Sequence, residues 1–116
     1  MSRTVYAQAR YHDCQAALDF LIAAFGFGVR EVSTNDEGAV DHVELLVGDD
    51  IVMLGRGRPG GPGIYIATDD VDAHHDRAKA AGATVTMDLV DQPYGSREYA
   101  CTDPQGNTWY FGTYRP

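Results

Sequence analysis

The clearest chemical signal is a pair two residues apart, His42 and Glu44. In a strand, alternate residues emerge on one side, so the carboxylate can orient the imidazole and the pair can act as base and positioning group in moving a proton. The same spacing describes an ordinary hydrogen-bonded patch, and no nucleophile or oxyanion-hole motif accompanies it. Seven tyrosines in 116 residues are the second signal. Tyrosine offers a flat apolar wall with a polar end, the usual lining of pockets for planar or amphipathic ligands, although it fills cores and interfaces as readily. Arg97, in YGSRE, can clamp a carboxylate or phosphate, or simply pair with Glu98 or Glu44. Cys14 and Cys101 stand apart with no CxxC, which suits reduced structural thiols, a catalytic Cys101 being the lesser alternative. His74 and His75 adjoin in a helical stretch, where neighbours point about 100° apart and cannot chelate one ion together, so they read as surface histidines. The acidic pairs Asp49-Asp50 and Asp69-Asp70 sit at a turn and a helix start, where short acids cap amides.

The elements that position these residues repeat. An offset of 57 carries Asp13 onto Asp70, each following a β-like run (5–11 and 64–68) and opening an alanine-rich stretch as its N-cap. The first helix, about 14–25, presents Ala17, Leu18, Leu21, Ile22 and Phe25 as one buried stripe and stops at Gly26. The second, about 71–81, stops at Gly82 and has a more polar face. Three strand-like segments follow each helix: 29–34, 40–47 and 51–54, then 84–90, 96–102 and 108–114. Carried along these segments, the same offset sets His42 on Tyr99, Glu44 on Cys101, Met53 on Tyr110 and Gly55 on Gly112, with VGDD over DPQGN. Alternation turns Val43, Leu45 and Val47 to the helix and leaves His42, Glu44 and Leu46 on the opposite face. By the repeat, Arg97, Tyr99 and Cys101 join that open face, while Trp109 and Phe111 belong to the core.

The expected fold is therefore α+β: two βαβββ modules, about 1–57 and 58–116, forming curved, mainly antiparallel half-sheets around a cleft with the helices outside. The Gly/Pro-rich RGRPGGPG reads as their linker. At 116 residues the chain has room for a single domain, and dimerisation would help so small a domain carry a cavity, so a homodimer is expected. A formal charge of -8 is the wrong field for nucleic acid or an anionic membrane and would attract a cationic small molecule. No apolar run has the roughly 18 residues of a membrane span, and no signal-like N-terminus is evident, so a cytoplasmic location is expected.

The paired modules, the AAFGFGVRE helix exit, HVELLVGDDIVMLG and above all YGSREYACTDPQGNTWYFGTY resemble the vicinal oxygen chelate superfamily, the glyoxalase/bleomycin-resistance/dioxygenase fold. The likeness covers essentially the whole chain. Metal-dependent members place His, Gln or Glu ligands on the first, fourth, fifth and eighth strands. The matching positions here are Tyr6, Met53, Gly63 and Tyr110, which cannot supply the nitrogen, oxygen or thiolate donors of a Ni, Zn, Fe or Mn site. The resemblance thus implies a member without the superfamily metal, and no cofactor is called for. The residues expected on the cleft face are Tyr6, Gln8, His42, Glu44, Met53, Tyr65, Arg97, Tyr99, Cys101 and Tyr110. The expected function is metal-independent binding of a small molecule, cationic or aromatic, as in antibiotic sequestration by the bleomycin-resistance branch. The alternative is a lyase or isomerase using His42 and Glu44, or a non-standard metal site.

Overall fold

A computed structural model describes residues 4–116 of the chain. Among these residues it is a mixed α+β fold of two compact units, one ending at Pro59 and the other beginning at Gly60. Each unit holds one helix and one four-stranded sheet. The first runs β1 (Ala7–Tyr11), α1 (Cys14–Phe25), β2 (Gly28–Thr34), β3 (Val40–Val47) and β4 (Asp50–Arg56), in sheet order β1-β4-β3-β2. The second runs β5 (Ile64–Ala67), α2 (Val71–Ala80), β6 (Thr84–Asp91), β7 (Arg97–Thr102) and β8 (Thr108–Gly112), in order β5-β8-β7-β6. In both sheets the strand before the helix pairs in parallel with the last strand, and the others are antiparallel.

Local chemistry accounts for the helix ends. Asp13 accepts from the Ala16 amide at 3.0 Å, and Asp70 accepts from the Ala73 amide at 3.1 Å, each meeting an N–H that the first turn leaves without a helical partner. Gly26 ends α1 in the left-handed region at φ 75°, where a side chain would strain the backbone. The core of the first unit is α1's Leu18, Leu21 and Phe25 against Val43, Leu45, Val52 and Leu54, all buried. In the second unit Val71 and Ala78 of α2 are buried, as are Tyr99, Cys101, Trp109 and Phe111 of the sheet. The expected helix side for Trp109 and Phe111 holds: both are 0% exposed.

The repeat is not uniform, and the reason lies in one loop. Val47 pairs with Asp50 across a two-residue turn, whereas Asp103 donates its amide to Asn107 O at 2.9 Å across the three residues Pro104, Gln105 and Gly106. Gly106 supplies the left-handed residue of that longer turn at φ 94°. The Asp103 carboxylate anchors it, accepting from the amides of Gln105 and Asn107 and from Trp109 Nε1 at 3.0 Å. The extra residue keeps the offset of 57 on β8 but makes it 56 on β7. His42, opposite Gly55, therefore answers to Glu98, opposite Gly112, and Glu44, opposite Met53, answers to Ala100, opposite Tyr110. A one-residue change of register exchanges the two faces of a strand.

Candidate functional site

That exchange corrects the expected site. Tyr99 and Cys101 are both 0% exposed and lie on the helix side of their sheet, so they do not line its open face. Tyr99 stacks on Phe111 with ring centroids 5.4 Å apart, meets the His75 ring edge-on at 5.1 Å and bonds His74 Nδ1 through its hydroxyl. Burial, with Cys101 adding to it, pushes its phenol upward. Burial likewise pushes the Cys101 thiol up to about 12, which suits a structural thiol and not a nucleophile. Arg97 pairs with neither Glu98 nor Glu44. Its Nε donates to Asp72 of α2 at 2.7 Å and its Nη1 to Asp91 at 3.2 Å, and these bonds raise its pKa further. Nor are both adjacent histidines at the surface, since His75 is only 7% exposed. Its Nδ1 contacts Asp76, while Asp88 lies 3.0 Å from Nε2 but out of line for a hydrogen bond.

The first unit's open face carries Gln8, Met53 and Glu44 in one row across β1, β4 and β3, with Arg10, Gly55 and His42 in the next. Tyr6 precedes β1 and is exposed. His42 Nε2 lies 3.1 Å from Glu44 Oε2, and Arg30 Nη1 donates to Glu44 Oε1. Because a carboxylate only accepts, the pair requires the proton on Nε2 and leaves Nδ1 as the basic nitrogen. The bonds from His42 first, then Arg30, hold Glu44 below the usual carboxylate value.

The second unit's open face is aromatic. Tyr65, Tyr110 and Ala100 form one row, and Ala67, Gly112 and Glu98 the next. Here lies a cavity of about 510 Å³ lined by Tyr65, Tyr94, Glu98, Tyr114 and Pro116. Tyr94 and Tyr114 meet edge to face, 6.0 Å apart at 79°, and so form a corner. Glu98 accepts from Tyr94 Oη at 2.7 Å and from Ser96 Oγ at 3.0 Å, while Tyr65 Oη donates to Tyr114 O at 2.8 Å. The Glu98 bond pushes the Tyr94 phenol up to about 12, because ionising it would lose the bond and oppose the carboxylate. Gly112 makes room: a Cβ there would meet Glu98 Cγ at 2.6 Å and Tyr65 Oη at 2.8 Å.

Of the residues expected on open faces, then, Gln8, His42, Glu44 and Met53 share one and Tyr65 and Tyr110 another. Tyr94, Glu98 and Tyr114 were missed. The signal for Glu98 was present in the loop, since DPQGN has one residue more between its strands than VGDD. Tyr94 lies just outside a strand, where alternation carries no information, whereas Tyr114, two residues past the end of β8, has the parity of Tyr110, and that was the signal for it.

The model of the Glyoxalase/Bleomycin resistance protein/Dioxygenase superfamily matches residues 3–111. The chain belongs to this superfamily. Among solved structures of the fold, TioX from Micromonospora sp. ML1 is 32% identical, with a TM-score of 0.84 over 96% of this chain and 98% of that one. Lactoylglutathione lyase from Agrobacterium tumefaciens, 21% identical with a TM-score of 0.74 over 97% of this chain and 93% of its own, shares the fold. Protein Mb0911c of Mycobacterium bovis is 32% identical over 115 residues, 86% of this chain and 76% of its own. The putative glyoxylase CFP32 of the same species is also 32% identical, over 81% of this chain but 39% of its own length.

The superfamily's metal can be tested against these residues. Tyr6, Met53, Gly63 and Tyr110 bring two phenols, a thioether and no side chain. A Cβ at Gly63 would meet Tyr110 Cε2 at 2.2 Å, so the tyrosine ring fills the space into which a ligand at 63 would project. Among the described residues no group of three or more His, Cys, Asp or Glu gathers to hold an ion. These residues do not fit the family's metal.

Proposed function

We propose that this superfamily member binds an organic small molecule without metal, holding it on the tyrosine-rich open face of the second unit, and that it acts by sequestration. The observation that carries the reading is the cavity of about 510 Å³ among Tyr65, Tyr94, Glu98 and Tyr114, within the range of small-molecule sites and walled by rings that offer area with little rotamer entropy to lose. Sequestration needs affinity alone, and it is consistent with the misfit of the metal positions. The reading includes a homodimer in the cytoplasm and an antibiotic among the candidate ligands. No helix among the described residues is long and apolar enough to cross a membrane.

The test is a thermal-shift panel on chelator-treated protein covering divalent metals, glutathione-type and α-keto-acid metabolites, and cationic aromatic antibiotics. A ligand at about 100 times its dissociation constant adds roughly 2.7 kcal/mol. Stabilisation by an antibiotic and by no metal is the expected result. Stabilisation by Ni, Zn, Fe or Mn alone would overturn it.

One observation favours a second reading. His42 and Glu44 are hydrogen-bonded and Arg30 fixes the carboxylate, the arrangement by which an isomerase or lyase would move a proton beside a carbonyl. On that reading His42→Ala abolishes turnover while leaving affinity for the same compound nearly intact. Loss of binding in proportion to turnover would remove the proton-transfer role.

A further inference from the structure

The ligand class is legible in the charges around the cavity. Both oxygens of Glu98 accept hydrogen bonds, from Tyr94 and from Ser96, and both donors are neutral hydroxyls. Among the described residues Glu98 has no ion pair, in contrast with Glu44, whose charge Arg30 compensates directly. Around this uncompensated carboxylate stand three tyrosine rings. Tyr94 and Tyr114 form the corner, and the bond to Tyr114 O pins Tyr65 beside them. Phenol rings present negative faces, and a cation seated among several of them next to a carboxylate is attracted by all at once. An alkylated ammonium suits such walls better than a bare one. Its methyl groups pack on the rings, a contact that a bare and strongly hydrated –NH3+ does not make. Gly112 keeps the floor open at the point where Glu98 and Tyr65 converge.

We propose that the cavity lined by Tyr65, Tyr94, Tyr114 and Glu98 is a receptor for a quaternary or tertiary ammonium group of the ligand. This rests on the reading that an organic molecule binds at that face. The experiment titrates the full chain with benzyltrimethylammonium and with neopentylbenzene, in which carbon replaces the charged nitrogen, following the tyrosine side-chain resonances. Benzyltrimethylammonium should bind at least tenfold more tightly, shifting Tyr65, Tyr94 and Tyr114. Glu98→Gln should reduce that preference to less than threefold. Tyr94→Phe, which keeps the ring and the fold but not the hydroxyl, should retain most of the affinity, and Tyr94→Leu should lose it. Equal binding of the two probes at these tyrosines would overturn the ammonium assignment and leave the organic-ligand reading standing. Failure of both probes to perturb these tyrosines would overturn the two together.

Discussion

Gly112→Ala probes the pocket through a single methyl group. The glycine's φ is not in the left-handed region, so alanine adds no backbone strain and the outcome is steric. The new Cβ would stand 2.6 Å from Glu98 Cγ, 2.8 Å from Tyr65 Oη and 3.1 Å from Glu98 Oε2. Ordinary contact needs roughly 3.5–4 Å between carbons, so Glu98 must withdraw by about 1 Å at a carbon near its own backbone, and Tyr65 must leave Tyr114 O. Forcing a methyl into packed surroundings costs about 1–3 kcal/mol, which the entropy removed from the unfolded chain offsets by about 0.4–1 kcal/mol. The net is a loss of about 1 kcal/mol, a fall in Tm of roughly 3–6 °C for a domain of this size. Gly61→Ala is the matched control, because its Cβ would meet nothing within 4 Å and its φ is also not positive. Melting curves for the two variants, with the benzyltrimethylammonium titration repeated on each, give the comparison. The expected result is a lower Tm and a loss of probe binding at position 112 only. If Gly112→Ala melted with Gly61→Ala and bound the probe as the parent does, the packing described around Glu98 would be wrong.

Three further outcomes follow from the same geometry. Tyr94 should ionise near pH 12, and Glu98→Gln should return it toward the ordinary value of 10, read by near-ultraviolet titration. Because the folded value is the higher one, the Tyr94–Glu98 bond contributes stability that is complete below pH 10 and fades as pH rises to about 12, so denaturation midpoints of parent and variant should converge over that interval. Neither Cys14 nor Cys101 should react with a disulfide reagent at pH 8 in the native protein, since burial raises both thiols, and both should react after denaturation; a fast native thiol would contradict this placement. Asp103→Ala leaves the buried Trp109 Nε1–H and two loop amides without their acceptor and should cost about 2–4 kcal/mol in a urea titration, whereas an unchanged midpoint would show that the loop is held some other way.

The βαβββ repeat was readable because its signals are local: an aspartate cap, an apolar stripe at helical spacing, a glycine stop. The bounds of α1 and β3 agree with those signals to the residue. Val43, Leu45, Trp109 and Phe111 were placed correctly because alternation from a well-anchored residue suffices. The second unit's open face was misread at β7 for the same reason that β8 was read well. The offset of 57 is true of β8 and untrue of β7, and the difference is the one residue by which the loop DPQGN exceeds VGDD, which a single offset carried across both strands ignores. Parity then inverted Arg97, Tyr99 and Cys101 together and hid Glu98. Tyr65 and Tyr110 survived because the parallel pairing of β5 with β8 lies outside that loop.

The inversion also redistributes the chemistry. By the uniform repeat, Tyr99 and Cys101 are the equivalents of His42 and Glu44, which would set a phenol and a thiol on an open face. By the true register their equivalents are Glu98 and Ala100, and the thiol belongs to the core. The first unit's open face then holds a carboxylate whose charge Arg30 compensates and which His42 hydrogen-bonds, a cluster that already satisfies itself. The second unit's open face holds a carboxylate supported only by hydroxyls among the described residues and set beside three aromatic rings. An incoming cation would have to compete with Arg30 at Glu44, whereas at Glu98 no cation among the described residues holds that place. That difference, more than the count of tyrosines, is what supports the proposal of ligand binding at the second face.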